Sequence, residues 1–395
     1  MAASARVGVA HGAGGATSRR LAGTAALVAA LAACTGTPMD AAAQTFTSEH
    51  HTFRVVTIVD GLEHPWGMAF LPDGSILVTE RPGRLRLVRN GVLEPEPIAG
   101  VPEVWARGQG GLLDVALHPD FENNRLVYLS YSKPGPEGAT TAVARGRLVD
   151  GRLENVEDIF VADAWTNRGQ HFGSRLVFDG KGHLFISIGD RGVMDQAQNP
   201  SNHQGTIVRL YDDGRVPPDN PFVGREGFRP EIYAYGIRSP QGLALHPETG
   251  QLWESEHGPR GGDEINLILP GRNYGWPKIT YGINYNGQKI SDYTHMEGME
   301  QPLHYWVPSI ATSGMTFYTG DKFPGWKGDV FVGGLAGQQL ARVRFEGTRR
   351  VAVEALLTEM KRRIRDVRTG PDGYIYLLVD EPNAPMLRLE PADGN

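Results

Sequence analysis

Apolar and polar positions alternate in short blocks along most of this chain: a brief hydrophobic run, a turn rich in Pro, Asp or Gly, then a second run rich in Ile, Leu, Val, Tyr or Phe. PWGMAFLPDGSILVTE at Pro65 returns as GGLLDVALHPDFENNRLVYLSYS at Gly110 and as FGSRLVFDGKGHLFISIGD at Phe172. It returns again as PQGLALHPETGQLWESE at Pro240, SGMTFYTGDKFPGWKGDVFVGG at Ser313 and RIRDVRTGPDGYIYLLVDE at Arg363. Strand, tight turn, strand is the pattern of a β-hairpin. Six copies, spaced widely enough for further strands and insertions, predict an all-β repeat architecture of the β-propeller kind. Helical periodicity is scarce. VAVEALLTEMKRRIRD is the one stretch that fits a helix, and its β-branched start predicts strand then turn instead.

Residues 1–45 follow another pattern. Arg19 and Arg20 precede LAGTAALVAALAAC, an apolar run too short to span a bilayer and typical of a cleavable export signal. The run ends at Cys34, the only cysteine, in a LAAC that resembles a bacterial lipobox, so Cys34 is the expected lipidation site. Cleavage before Gln44, giving a soluble periplasmic protein, and a twin-arginine signal around SRRL are the other export readings. Any membrane association then runs through the lipid on Cys34 alone. With no second cysteine, no disulfide contributes to the chain's stability.

Composition narrows the partners. The 51 glycines among 395 residues, about 13% and roughly twice average usage, fit a folded protein with many turns. A formal net charge of -6 supplies no basic field for phosphate, which argues against nucleic acid and leaves a small polar substrate. There is no GxGxxG after a strand, no Walker loop, no HExxH and no GxSxG.

A propeller collects loops from all its blades around one end of a channel, so candidate chemistry lies just before or after the repeated strands. Unusual residues stand there in RGQGG (Gln109), QHFGSR (His171), YGIRSPQG (Arg238) and RRIRD (Arg363, Arg365), and in SEHGPRGGDEIN. His171 with Asp190, at the end of the same hairpin, reads as a carboxylate-oriented general base or as an ordinary loop histidine. Convergent arginines suit a ligand with several carboxylates. The Gly258–Pro259 pair frees carbonyl oxygens for a hard cation such as calcium, with Asp263 and Glu264 as further candidate ligands, although a plain polar turn has the same composition. The aromatics of GRNYGWP either border a flat ligand or form the core of a turn.

Taken together, GGLLDVALHPDF, QHFGSRLVFDGKGHLF, DDGRVPPDNPF, YGIRSPQGLALHP, EHGPRGGDEINLI, GRNYGWP, SGMTFY and RIRDVRTGPDG resemble the soluble PQQ-dependent aldose sugar dehydrogenases, relatives of soluble quinoprotein glucose dehydrogenase. The resemblance runs over about residues 50 to 392, essentially the mature chain. It implies a six-bladed β-propeller, residues 46–395 as a single catalytic domain, with PQQ lying on a calcium ion at the channel mouth. It implies that the carbonyls of Gly258 and Pro259 hold the calcium, which puts Asp263 and Glu264 in a supporting role. His171 matches the catalytic base, Asp190 its orienting carboxylate, and Arg238 a charge beside the quinone oxygen. Gln109 matches a substrate-binding glutamine, and Ser239, Arg363 and Arg365 match cofactor-binding positions. The reaction implied is oxidation of the C1 hydroxyl of an aldose to a lactone, with electrons passed to an external acceptor.

Three departures stand out. Ala336 replaces a lysine that pairs with PQQ, Ser239 an asparagine, and Gln170 an acid before the base. Gln338 and Gln339 are the neutral residues nearest to replacing the lysine. Two other functions fit a propeller: a calcium-dependent lactonase or hydrolase, which needs acidic side chains converging on the ion, and a cofactor-free binding module, which needs neither the histidine nor the arginines.

Overall fold

The computed structural model describes residues 44–392, so the leader and Cys34 lie outside it. Six antiparallel sheets follow one another along the chain. Blade 1 comprises Pro65–Phe70, Ile76–Glu80, Arg84–Arg89 and Val92–Leu93; blade 2 comprises Leu112–Leu117, Leu126–Gly135, Gly138–Val149 and Arg152–Val161. Blade 3 is Leu176–Phe178, His183–Ile188, Thr206–Tyr211 and Ile232–Tyr235; blade 4 is Pro240–Leu245, Leu252–Glu256, Asp263–Ile268 and His304–Trp306. Blade 5 is Thr312–Phe317, Val330–Gly334, Gln339–Glu346 and Arg349–Leu356. Blade 6 joins Ile364–Thr369, Ile375–Val379 and Ala384–Pro391 to the N-terminal strand Thr52–Leu62, edged by Thr45–Thr47.

The all-β, six-bladed propeller is therefore observed, and the six hairpins read from the sequence are the first two strands of its blades. No hairpin signal marked Thr52–Leu62, yet it closes the ring by pairing Phe53 with Pro391 and Leu62 with Ala384. Without it Ala384–Pro391 would be an open edge. VAVEALLTEMKRRIRD forms strand Arg349–Leu356 and the 3-10 turn Thr358–Met360 before the next strand, as its composition predicts. Among the described residues no helix is long and apolar enough to cross a membrane.

The blades stack face to face, which buries both faces of their second strands. Ile76–Glu80, Leu252–Glu256, Val330–Gly334 and Ile375–Val379 are buried at every position. That is why they read as unbroken apolar runs rather than as alternation.

A repeated polar device sets the blades against each other. Most first strands carry a register shift near their start, as between Pro65 and Met68 or Leu112 and Val115. Such a bulge leaves a backbone amide without a ladder partner. A hydroxyl on the second strand accepts it: Gly67 N–H donates to Thr79 at 2.9 Å, Asp114 N–H to Ser130 at 2.8 Å, and Arg175 N–H to Ser187 at 2.9 Å. The hydroxyl then donates to the next blade. Thr79 reaches Leu113 O, Ser130 reaches Ser174 O at 2.6 Å, Ser187 reaches Pro240 O at 2.9 Å, and Ser255 reaches Ser313 O at 2.9 Å.

A buried ion network adds to this. Arg175 lies within 3.1 Å of both Asp114 and Asp366, with its guanidinium 4.2 Å above the Trp66 ring. Arg368 joins the same two carboxylates at 3.0 Å. Blades 1, 2, 3 and 6 meet in this cluster.

Candidate active site

In an antiparallel hairpin the start of the first strand and the end of the second lie at the same end of the blade. Residues just before five of the first strands (His64, Gln109, His171, Arg238, Arg363) and just after five of the second strands (Arg81, Asp190, His257, Ala336, Asp380) therefore gather at one mouth of the ring. Two neighbouring cavities open there. One, of about 240 Å³, is lined by His171, Asp190, Arg238, Pro259 and Trp276. The other, of about 480 Å³, is lined by Arg363, Arg365, Gln109, His257 and Ala336. Tyr285, largely exposed, stands on the wall of both.

His171 and Asp190 form a hydrogen-bonded pair, with Nδ1 to Oδ1 at 2.6 Å. His171 takes a left-handed conformation at φ 55°, in a turn that packs against the end of the second strand. The packing needs Gly189, where a Cβ would stand 2.2 Å from the His171 carbonyl oxygen. Gln109 accepts the His171 backbone N–H at 2.8 Å. Asp190 also accepts from Gly192 N–H at 2.7 Å and from the Trp276 indole N–H at 2.8 Å. Burial pushes the Asp190 carboxyl up, but its bond to His171, the charges of His171 and Arg238, and Gly192 N–H outweigh it, so the group lies below the ordinary carboxylate value. An ionised carboxylate only accepts, so Nδ1 of His171 carries the proton and Nε2 keeps a free lone pair. Burial presses the imidazole below its usual 6.5; the Asp190 bond opposes this and the Arg238 charge adds to it. The result is an imidazole that is oriented by Asp190 and neutral at neutral pH.

Arg238, buried, is held by its backbone N–H on Glu256 at 2.7 Å. Its guanidinium donates to the carbonyls of His257 and Gly258, the latter at 3.0 Å. Two consecutive carbonyls thus already face a cation, the donor chemistry a calcium ion requires. Asp263 does not join them. Its carboxylate accepts from Gly258 N–H at 2.8 Å, Ser309 Oγ at 2.8 Å and Ile310 N–H at 2.8 Å, which fixes the loop. Glu264 accepts from Asn266 at 3.2 Å. Both carboxylates are engaged within the blade. Among the described residues no group of three or more His, Cys, Asp or Glu side chains is placed to hold a metal ion, as the hydrolase reading would need.

In the second cavity Arg365 donates to Asp380 at 2.9 Å and to Gln241 at 2.8 Å, while Arg363 reaches Asp380 more loosely at 3.4 Å. Asp380 also meets His64 Nδ1 at 3.0 Å. Ser239 Oγ, Arg365 Nε and Arg81 Nε are buried without a hydrogen-bond partner among the described residues. Orphaned donors beside an arginine-lined cavity fit an anionic ligand with several acceptor atoms. Ala336 is on this wall; Gln338 and Gln339 are not among the residues lining it.

Sequence reasoning missed two residues that shape the mouth, Arg191 and Arg81. Arg191 clamps the His171 turn by donating to the carbonyls of Gln170 and of Arg168, the latter at 2.9 Å, with its guanidinium over the Phe172 ring; burial lowers its pKa to about 9. Trp276 joins GRNYGWP to the pair at Asp190, while Tyr274 of the same motif closes the turn core on Leu267 O at 2.6 Å. Arg81 follows a second strand without any local signal. Gln109, expected as a substrate contact, lines the second cavity, and its side-chain oxygen accepts the His171 backbone N–H.

Fold and site together define a six-bladed propeller with a hydrogen-bonded histidine–aspartate pair beside an arginine-lined cavity. Residues 62–388 match the family described as Glucose / Sorbosone dehydrogenase, and the chain belongs to that family. It is 48% identical over 346 residues to the aldose sugar dehydrogenase YliI of Escherichia coli K12, covering 86% of this chain and 93% of that protein. The crystal structure of the soluble aldose sugar dehydrogenase from Escherichia coli in the apo form superposes with a TM-score of 0.84 at 47% identity, over 86% of this chain and 99% of that one. The PQQ-bound form of aldose sugar dehydrogenase from Streptomyces coelicolor gives 0.72 at 28% identity, over 86% of this chain and 98% of that one.

Proposed function

We propose that the protein is an exported, periplasmic PQQ- and calcium-dependent dehydrogenase that oxidises the C1 hydroxyl of aldose sugars to lactones and passes the electrons to an external acceptor. The observation that carries this reading is the Asp190-oriented His171, facing one cavity with Arg238 while Arg363 and Arg365 face the next. PQQ, when bound, supplies the two-electron acceptor that takes hydride from C1. His171 Nε2 accepts the proton of the C1 hydroxyl, and Asp190 stabilises the imidazolium that forms. Arg238 places a fixed positive charge where negative charge develops on an oxygen. Arg363 and Arg365 would hold the carboxylates of PQQ, and the carbonyls of Gly258 and Pro259 would hold calcium.

The test is reconstitution of purified apoprotein with PQQ and calcium. The expected result is a shifted quinone absorption band and dye reduction that depends on added aldose. An unshifted band, or dye reduction indifferent to aldose, overturns the reading.

A further inference from the structure

The arginine cavity contains a third arginine for which the family resemblance gives no role. Arg81 leaves the second strand of blade 1 and lines the same wall as Ala336, Arg363 and Arg365. Its backbone is pinned on both sides: its N–H donates to His64 O at 3.2 Å, and its carbonyl accepts Leu112 N–H at 3.2 Å. Its side chain is only partly committed, with Nη1 on Gly108 O at 2.8 Å and Nε buried without a partner among the described residues.

Charge counting sharpens this. The one carboxylate on the cavity wall, Asp380, is taken by His64, Arg363 and Arg365. Arg81 makes no hydrogen bond to it in the structure. One carboxylate among three guanidinium groups leaves an excess of about two positive charges facing the cavity, which only an anionic occupant neutralises. Blade 5 contributes no cation here, because Ala336 has no charge to offer.

We infer that Arg81 is an anion-binding residue of this cavity, supplying from blade 1 the third cationic contact for a tricarboxylate cofactor. The inference rests on the PQQ reading above. Nη2 of Arg81 makes no hydrogen bond among the described residues, so the guanidinium keeps a donor for a carboxylate, and the pinned backbone presents it at little conformational cost.

The test is direct binding rather than turnover. Calorimetric titration of PQQ into apoprotein at fixed calcium compares the parent with Arg81→Ala, Arg81→Gln and Arg81→Lys, each checked for the parent's circular dichroism and melting. Arg81→Ala and Arg81→Gln should weaken PQQ about ten- to hundredfold, as expected for a charge-assisted contact, and Arg81→Lys should recover part of the loss. Arg81→Gln retains a donor for Gly108 O, so it separates the charge from the loop contact even where the alanine variant folds poorly. If Arg81→Gln binds PQQ as the parent does, Arg81 serves only the Gly108 loop and the inference is wrong. If the parent with calcium binds no PQQ, the cofactor reading itself fails and takes this inference with it.

Discussion

Nη1 of Arg238 donates to the carbonyl oxygen of Gly258 at 3.0 Å, placing a guanidinium against the backbone oxygen proposed to hold calcium. The same loop tolerates no side chain at Gly258. A Cβ there would lie 2.3 Å from Gly262 O and 2.6 Å from Gly261 O, both backbone atoms that cannot rotate away. Gly258→Ala should cost about 1–3 kcal/mol of stability as an overpacked site and should abolish the rise in melting temperature on adding calcium. Thermal melts with calcium and with chelator check this. A variant that keeps the parent's calcium response removes Gly258 from the ion site.

His171→Ala should lower turnover by about two to four orders of magnitude, the contribution of a positioned base, while PQQ and calcium still bind. Single-turnover kinetics on reconstituted protein measures it, and a loss of only a few-fold would remove His171 from the base role.

The pH profile follows from the same pair. A base acts when neutral, so kcat/KM is full above the imidazole pKa and falls as pH drops through it. Because that pKa is lowered, the half-maximal point should lie below 6.5. Asp190 raises it against burial, so Asp190→Asn should move the limb to still lower pH while depressing the plateau through lost orientation. A limb that moves upward contradicts the assignment.

Ala336→Lys should tighten PQQ binding, by up to about one to two decades if the ammonium reaches a carboxylate. With Arg81 already present the gain should be smaller than in an Arg81→Ala background. Titration of all four combinations reads this coupling directly.

Arg175→Met should destabilise the ring by about 3–5 kcal/mol, because Asp114 and Asp366 would be left as buried carboxylates with Arg368 alone. Chemical denaturation checks it. A loss below about 1 kcal/mol would mean that the network contributes register rather than stability.

The sequence by itself determined the hairpins, their number and the residues at their ends, because alternation and turn chemistry are properties of neighbouring positions. His171 and Asp190 were legible for that reason: they sit 19 residues apart on one hairpin, whose antiparallel course returns the second to the first. Contacts between blades were not legible. Trp276 reaches Asp190 across 86 positions and Arg365 reaches Gln241 across 124, and no local pattern records which blade stands beside which. The hydroxyl relay from Thr79, Ser130, Ser187 and Ser255 was hidden likewise, since a serine in a strand looks ordinary until the next blade brings a carbonyl to it. Only ring closure by Thr52–Leu62 decided that Arg81, Arg363 and Arg365 share one cavity, because a side chain's charge is local while its neighbours are set by packing.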